Sequence, residues 1–406
     1  MTTQEVEAPA TEPEPSRRRS WRMPPAWRER TDLVPRDRWL GQVMIGLRWG
    51  AVAVWLGVVI FKWHRDGVPF DRTGLLLWLG LGLACLCIGY HPIWLVWVAV
   101  DFLPFVAVLV VYDRLRGWSY TAGFPTWWYP QIKVDRFLFF GHEPTIWLQE
   151  HLKYPDVRWW DVAVTLCYFS FFFLPYLLAC VMWLRSRPDF YRWAVRFVGL
   201  SFIGFGLFVL IPAAPPWAAA QCGPIDVSDH PNNPGCMSQS AAFSDGGILG
   251  HYGSHVAGAN GWVERISGRG FFKLHLSIAQ TVLEHGQGWG DNVAAVPSLH
   301  VGGTVLFVLF MWRRVNKWWK PLLVAYPFAM MFSLAYGAEH YVADGIAGAL
   351  CAWLVHWLAD RGERWLKRDR PADTLDPPPE TDQESTCLPT VIPNPALPPG
   401  TTPSST

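Results

Sequence analysis

The chain contains 406 residues, of which 51% are hydrophobic, and it carries a formal net charge of +1. This small net charge argues against nucleic-acid binding, because proteins of that class usually carry a basic patch or stripe. The apolar residues are gathered into blocks of about 20, which is the length that crosses a bilayer as a helix. A large soluble protein would instead interleave short apolar stripes with charged residues, so the composition predicts an integral membrane protein.

The two ends of the chain differ from the apolar blocks between them. Residues 1–36 are polar, charged and contain proline, and they lack the apolar stretch of a cleavable signal peptide. We therefore predict a disordered basic arm over residues 1–38. At the other end, residues 361–406 are first basic and then rich in Pro, Thr and Ser, which predicts a disordered tail.

Eight apolar segments lie between these ends and predict an all-α membrane protein with about eight transmembrane helices. Three of them form an N-terminal group over residues 39–112, and the other five belong to a membrane domain over residues 113–360. The predicted spans are 41–62, 73–90, 93–112, 161–184, 193–212, 299–312, 319–337 and 341–359.

The cationic residues predict how these spans are oriented. Arg and Lys cluster at residues 17–38, 185–192, 313–320 and 361–370. Eight spans with a cytoplasmic N-terminus put all four clusters in the cytoplasm, as the positive-inside rule requires. We therefore expect a protein of the plasma-membrane type with both termini in the cytoplasm. The long segments 113–160 and 213–298 then lie outside.

The outer segment 213–298 has three features of its own. Cys222 and Cys236 would form a disulfide if the segment faces an oxidising compartment, and the sequence leaves that pairing open. Residues 271–284 mix apolar and polar positions at helical spacing, which predicts an interfacial lid helix or a simple packing helix. Five histidines match no tight zinc pattern, so no metal site is predicted; they are His230, His251, His255, His275 and His285.

Two short stretches contain the residues with candidate chemistry. NVAAVPSLH (292–300) leads into the sixth span, and SLAYGAEHYVAD (333–344) joins the seventh span to the eighth. His340 and Asp344 are four residues apart and share a helix face, and the topology puts His300 at the same membrane surface. Ionisable groups at this depth are energetically expensive and are functional by default.

These residue types suit phosphoryl transfer. A neutral imidazole is a nucleophile toward phosphorus, a carboxylate on its other nitrogen stabilises the imidazolium, and a second histidine serves as acid and base. Ser298, at a helix entrance, can offer its hydroxyl and nearby N–H groups to phosphate. Each motif alone has a plainer interpretation, since Ser298 also suits an N-cap and Asp344 a helix start. Their joint occurrence favours the catalytic hypothesis.

At this point a family resemblance is apparent. VPSLH (296–300) and AEHYVAD (338–344) resemble the second and third signature motifs of the type 2 phosphatidic acid phosphatase superfamily, closest to the branch of fungal inositol phosphorylceramide synthase. Further segments similar to that branch are PAAPPW (212–217), VDRFLFFG (134–141) and PTIWLQ (144–149). The resemblance covers roughly residues 113–358 and implies a six-helix-type core built from the C-terminal spans.

The resemblance implies a role for each motif residue. His340 would be the nucleophile that becomes phosphohistidine, Asp344 would orient it, and His300 would be the acid and base. No metal or cofactor is implied. The expected partners are a membrane, a lipid-linked phosphate or phosphodiester and a lipid alcohol that accepts a phosphoinositol-like headgroup. Alternatives are a lipid phosphate phosphatase that uses water instead, and a non-catalytic transporter or scaffold.

The chain also departs from the phosphatases of this superfamily. It lacks their Lys-x6-Arg-Pro motif, and it has Leu334 and Leu299 where they carry Arg and Gly. This favours the synthase-like branch, which lacks the first motif, and other cations must then bind the phosphoryl group. The predicted substrate-binding residues are Ser298, Asp135, Arg136 and Lys273. Further candidate cations are Lys133, Arg265 and Arg269, and for each cation the alternative is a solvated loop position. Headgroup, acceptor and oligomeric state stay open.

Overall fold

The computed structural model describes residues 38–66, 72–115, 122–229, 234–238, 246–274, 276 and 292–368. Within these ranges the structure is helical and has no strand, although two isolated bridges join Trp127 to Ala213 and Ala213 to Ala294. Residues 1–37 and 369–406, which include most of the predicted arm and tail, lie outside the described ranges. The helices are α1 (Arg38–Asp66), α2 (Arg72–Leu86), α3 (Ile93–Leu115), α4 (Pro130–Leu138), α5 (Pro144–Leu152), α6 (Trp159–Arg185), α7 (Arg187–Leu210), α8 (Pro216–Gln221), α9 (Pro224–Asp229), α10 (Gly270–Lys273), α11 (Leu299–Met311), α12 (Lys320–Tyr336) and α13 (Val342–Arg368).

Each of the eight apolar segments coincides with a helix, namely α1, α2, α3, α6, α7, α11, α12 and α13. In the described part of the chain, five helices are long and apolar enough to cross a membrane, and α2 and α11 contain shorter apolar helices. The prediction of an all-helical integral membrane protein is confirmed, while the count of eight spans stays a prediction. The five long segments are 39–62, 93–112, 159–185, 187–210 and 342–366.

Helix boundaries differ from the predicted spans where local capping decides them. The fifth span was predicted from residue 193, but α7 begins at Arg187. The Ser186 hydroxyl accepts a hydrogen bond from the N–H of Asp189 at 3.4 Å, and Pro188 occupies the first turn. Both features start helices, because a cap satisfies a free N–H and proline has none to satisfy.

The main core lies between α3, α6, α7 and α11. Trp183, Trp193, Phe105 and Phe190 are fully buried there. A buried polar cluster joins the same helices: the Asp101 carboxylate accepts from Trp183 Nε1 at 2.8 Å and from the Tyr191 hydroxyl at 2.9 Å, and it pairs with Arg187. These contacts attach α3 to the helices of the C-terminal region.

Three stretches of backbone, around Trp127, Ala213 and Ala294, meet before the start of α11. The N–H of Trp127 donates to the Pro212 carbonyl at 2.8 Å, and the N–H of Ala213 donates to the Val293 carbonyl at 2.6 Å. In return, the N–H of Ala295 donates to the Ala213 carbonyl at 3.2 Å. This junction fixes the strand-like residues that precede α11.

Two expectations for segment 213–298 are partly resolved. Cys222 and Cys236, whose pairing the sequence left open, form a disulfide. Of the predicted helix over 271–284, only the beginning is described, as part of α10, and residues 275 and 277–291 lie outside the described ranges. Phe271 is buried against α6, where its ring lies 6.0 Å from that of Phe169.

The chain divides into two compact units, residues 1–360 and 361–406. The second unit is described only over residues 361–368, which are helical. All the site residues considered below belong to the first unit.

Candidate active site

His340 lies in the tight turn between α12 and α13, where it is buried. The turn passes through the left-handed region at Ala338, with φ 61°. Nε2 of His340 lies 3.3 Å from Nδ1 of His300, which is in the first turn of α11. The two motifs that are forty residues apart in sequence therefore bring their histidines into hydrogen-bonding contact.

The other ring nitrogen of His340 faces two acceptors. Its Nδ1 lies 3.0 Å from the carbonyl oxygen of Ala295 and 3.5 Å from Oδ2 of Asp344. A proton on Nδ1 leaves the lone pair on Nε2, which points toward His300. The sequence predicted Asp344 as the orienting group. The carbonyl of Ala295 was missed, since only the junction described above brings residue 295 here.

Asp344 and Ser298 join the starts of two helices. Asp344 is fully buried, and its Oδ2 accepts a hydrogen bond from the N–H of Tyr341 at 2.9 Å. The N–H of Ser298 donates to the Asp344 carbonyl at 2.9 Å, while its hydroxyl accepts from the N–H of Val301 at 3.4 Å. Ser298 thus has the N-cap contact that was its alternative interpretation. Helix α13 approaches the start of α11 so closely here that a Cβ atom at Gly348 would clash with the Ser298 carbonyl.

Asp135 makes hydrogen bonds within the protein that the sequence did not predict. Its two carboxylate oxygens accept hydrogen bonds from the N–H groups of Val342, at 2.9 Å, and Ala343, at 2.8 Å. Burial raises the pKa of this carboxyl to about 6, although the two backbone hydrogen bonds act to lower it. Asp135 was predicted to bind substrate, but in the structure it holds the first turn of α13, which also contains Asp344.

The predicted phosphate-binding cations are spread over segments 113–160 and 213–298. Arg136 and Lys133 are exposed on α4, and Lys273 is exposed and donates to the Val157 carbonyl at 3.4 Å. Arg269 donates to the carbonyls of Tyr154 and Pro155.

Arg265, the remaining cation, contacts the residue that precedes His340. It makes a two-pronged ion pair with Glu339, at 2.9 Å through Nε and at 2.8 Å through Nη2. Its guanidinium also lies over the ring of Trp217, 4.8 Å from the centroid. This cation is therefore tied to the turn that holds the nucleophile candidate.

An aromatic wall surrounds His300. The ring centroids of Phe171, Tyr168 and Phe172 lie 4.2, 5.2 and 5.7 Å from its own. Sequence reasoning missed these residues, although the aromatic run FSFFF on α6 was the available signal.

A cavity extends from the two histidines between α3, α6 and α7. Its lining is mostly apolar, and α3, from outside the resembling region, contributes three residues. The lining residues are Val108, Leu109, Tyr112, Phe171, Phe172, Tyr176, Phe197, Ser201, Phe205, Phe208, Ala294, Leu299, His300 and His340.

Comparison with known proteins agrees with this architecture. Residues 131–358, more than half of the chain, match the family model of the PAP2 superfamily, which contains the type 2 phosphatidic acid phosphatases. The chain belongs to this superfamily and is a membrane enzyme of the lipid phosphotransferase and phosphatase class. The resemblance seen in its motifs is thereby confirmed.

One curated relative extends the comparison beyond the family. The chain is 25% identical over 267 residues to the phosphoinositol dihydroceramide synthase of Bacteroides thetaiotaomicron, an alignment that covers 64% of this chain and 76% of that protein. This similarity agrees with the synthase-like branch that the motifs indicated. No solved structure matches the chain.

Proposed function

We propose that this protein is a phosphotransferase that moves a phosphoinositol-like headgroup between lipids through a phosphohistidine on His340. The observation that carries the proposal is the pair of facing ring nitrogens, Nε2 of His340 and Nδ1 of His300, 3.3 Å apart. A nucleophile beside a partner that can give and take a proton is the arrangement that covalent catalysis needs.

In the first step, Nε2 of His340 attacks the phosphorus of a lipid phosphodiester. An N–P bond forms, the P–O bond to the donor lipid breaks, and protonated His300 gives its Nδ1 proton to the departing oxygen. The positive charge that develops on His340 is stabilised through Nδ1–H by the Ala295 carbonyl and by the Asp344 carboxylate. Asp344 can do this while ionised, because opposite charges at this distance attract strongly in a buried site.

In the second step, the now neutral His300 removes the hydroxyl proton of a lipid alcohol. The alcohol oxygen attacks phosphorus, the N–P bond breaks, and His340 returns to its neutral form. Water in place of the alcohol would give hydrolysis with the same residues. The lack of the phosphatase cation motif and the similarity to a protein named as a synthase both favour transfer.

The apolar cavity supports a lipid substrate. Ligand sites are typically apolar clefts with a few convergent polar groups, and here His300 and His340 are the polar groups at one end of a largely hydrophobic lining. We propose that hydrocarbon chains occupy the space between α3, α6 and α7. We propose that Arg136, Lys273 and Ser298 bind the phosphate, as predicted from the sequence, together with the Arg265 guanidinium.

The site is proposed to face the extracytoplasmic side. The positive-inside pattern supports this orientation. The Cys222–Cys236 disulfide also supports it, because such bonds persist mainly in oxidising compartments. Both termini would then be cytoplasmic, with eight transmembrane spans.

The test uses purified protein in lipid nanodiscs and phosphatidylinositol that carries the label in its phosphate. Reactions are run with and without a ceramide-type lipid alcohol, and samples quenched in alkali are examined for labelled phosphohistidine. We expect a new labelled lipid, distinct from phosphatidylinositol, that forms only when the acceptor is present. The wild-type protein should also become labelled, whereas the His340→Asn variant should not. Water-soluble product alone in both reactions would exclude transfer in favour of hydrolysis. Full transfer activity in His340→Asn would exclude His340 as the nucleophile, and a wild type that forms neither labelled product would favour a non-catalytic scaffold.

A further inference from the structure

We infer that Glu150, His151 and His255 form a binding site for a divalent transition-metal ion such as Zn²⁺. One ligand atom from each of the three side chains lies within 4.8 Å of the others. Imidazole nitrogens and a carboxylate oxygen are ordinary zinc ligands. The site is separate from the His340 centre, and the inference does not depend on the proposed reaction.

The three ligands come from two parts of the outer region. Glu150 and His151 are consecutive in the last turns of α5, whereas His255 belongs to the segment 251–262. The rings of His151 and His255 stack with centroids 4.4 Å apart, and Glu150 Oε1 lies 3.3 Å from His255 Nδ1. Ligand atoms around a tetrahedral zinc ion are about 3.4 Å apart, so the side chains would rotate to bring their ligand atoms, which lie within 4.8 Å of one another, onto an ion.

One hydrogen bond prepares His151 for an ion. Its Nδ1 lies 2.8 Å from the Trp147 carbonyl oxygen, one helical turn earlier. A proton held there leaves the Nε2 lone pair available. This is the pattern of metal-binding histidines, which nearly always donate their other ring N–H to a carbonyl or carboxylate.

The backbone that presents the ligands is also fixed. The N–H of His255 donates to the Glu150 carbonyl at 3.1 Å. The neighbouring Gln149 side chain donates to the Glu264 carbonyl at 2.7 Å and accepts from its N–H at 2.9 Å. The chain from His255 to Glu264 is thus held against α5 at two points that flank the proposed site.

The nearby charges leave the Glu150 carboxylate available. Lys153, the closest lysine along the chain, is buried, pairs with Glu264 at 3.1 Å and donates to the Trp262 carbonyl at 2.5 Å. The simpler alternative is an ion pair between Glu150 and a protonated His255. That pair would place an imidazolium against the stacked His151 ring, whereas a bound ion uses both rings in their neutral form.

An ion at this site would clamp segment 251–262 onto α5. Arg265, three residues further along, pairs with Glu339 beside His340. Three protein ligands leave a fourth position for water or a phosphate oxygen. Because the His255 side chain is 61% exposed, the ion would exchange with solution, so occupancy would respond to metal supply.

The test is titration of Co²⁺ and Zn²⁺ into tag-free protein in detergent. We expect one ion per chain, a visible Co²⁺ absorption band and a higher unfolding temperature. His255→Ala and His151→Ala should each weaken binding by at least about tenfold. His251→Ala is the matched control, because this exposed histidine of the same segment packs against Trp262 outside the cluster and should leave binding unchanged.

Two results would overturn the inference. One is equal affinity in the wild type, His255→Ala and His251→Ala, which would mean that any ion binds elsewhere. The other is a contribution of the cluster to stability that changes with pH but does not change when metal is added. This is the behaviour expected of an ion pair. Lipid transfer and unfolding temperature without metal are measured on each variant, so that loss of folding is recognised directly.

Discussion

The first helix, α1, and two helices of the family region, α6 and α7, bury their surfaces very differently. In the most apolar window of α1 only 6% of the residues are buried, whereas in those of α6 and α7 the values are 44% and 50%. Lipid tails are as apolar as leucine side chains, so a helix surrounded by lipid needs hydropathy but no particular partner. The candidate catalytic residues His300, His340 and Asp344 lie where helices pack against one another.

Helix α3 does not follow the boundary of the family match. It lies before residue 131, yet 39% of its most apolar window is buried. Asp101 binds it to α6 and α7, and Val108, Leu109 and Tyr112 line the cavity that reaches the histidines. The structural unit around the site is therefore larger than the stretch that defines the family.

The sharpest test of this contrast replaces one histidine in each region. His340→Asn should lower lipid transfer by about a thousandfold or more, as loss of a nucleophile does in other covalent enzymes. His91→Asn, in the exposed turn before α3, should leave transfer unchanged, since Asn can also accept from the Ile93 N–H that His91 Nδ1 binds. Initial rates and unfolding temperatures are measured together, and equal effects of the two changes would refute the contrast.

The next largest effect is expected on stability, at the link between α3 and the family region. Arg187→Met leaves the Asp101 carboxylate buried without its cation, which should cost about 3–5 kcal/mol in the free energy of unfolding. Asp101→Asn combined with Arg187→Met should recover most of that loss, because no unpaired charge remains. Denaturant titration in detergent measures both. A double variant no more stable than the single one would mean that the charge pair is not the cause.

A smaller effect should follow from releasing the first turn of α13. Asp135→Ala removes the acceptor of two backbone N–H groups, and we expect a loss of about 1–2 kcal/mol in stability. Misplacement of His340 and Asp344 should lower kcat by about 10- to 100-fold. KM should stay nearly constant if Asp135 positions these residues. A raised KM with unchanged kcat would instead support the substrate contact predicted from the sequence.

The last expected effect is a pH dependence. Burial raises the pKa of Glu143 from 4.5 to about 7, although hydrogen bonds from the N–H groups of Ile146 and Thr145 oppose the shift. The folded protein therefore holds this proton more tightly than the unfolded chain does. The contribution of Glu143 to stability should be complete below pH 4.5 and should be lost as the pH rises through 7.

Glu143→Gln should remove part of this decline, because the amide oxygen can still accept from Ile146 while it carries no charge. The measurement is the unfolding temperature from pH 4 to pH 8, with a difference of a few degrees expected between the two proteins. Parallel curves for wild type and variant would show that another group is responsible.

Much of the architecture and of the central site was readable from local sequence patterns. Bilayer thickness requires about 20 apolar residues in a spanning helix, and all eight apolar segments are helices. The spacing of His340 and Asp344 placed both at one helix entrance, and the two motifs correctly brought His300 to His340. The helices and the His340–Asp344 spacing depend on nearby residues, for which periodicity is sufficient, whereas the meeting of the two motifs was inferred from the predicted topology.

Contacts between distant parts of the chain required the folded structure. The Asp135 carboxylate meets the N–H groups of Val342 and Ala343 more than 200 residues away, and the Ala295 carbonyl reaches His340 through a three-way backbone junction. The Glu150–His151–His255 cluster arises in the same way. No periodic signal encodes such contacts, because they form only when helices pack and carry their connecting segments together.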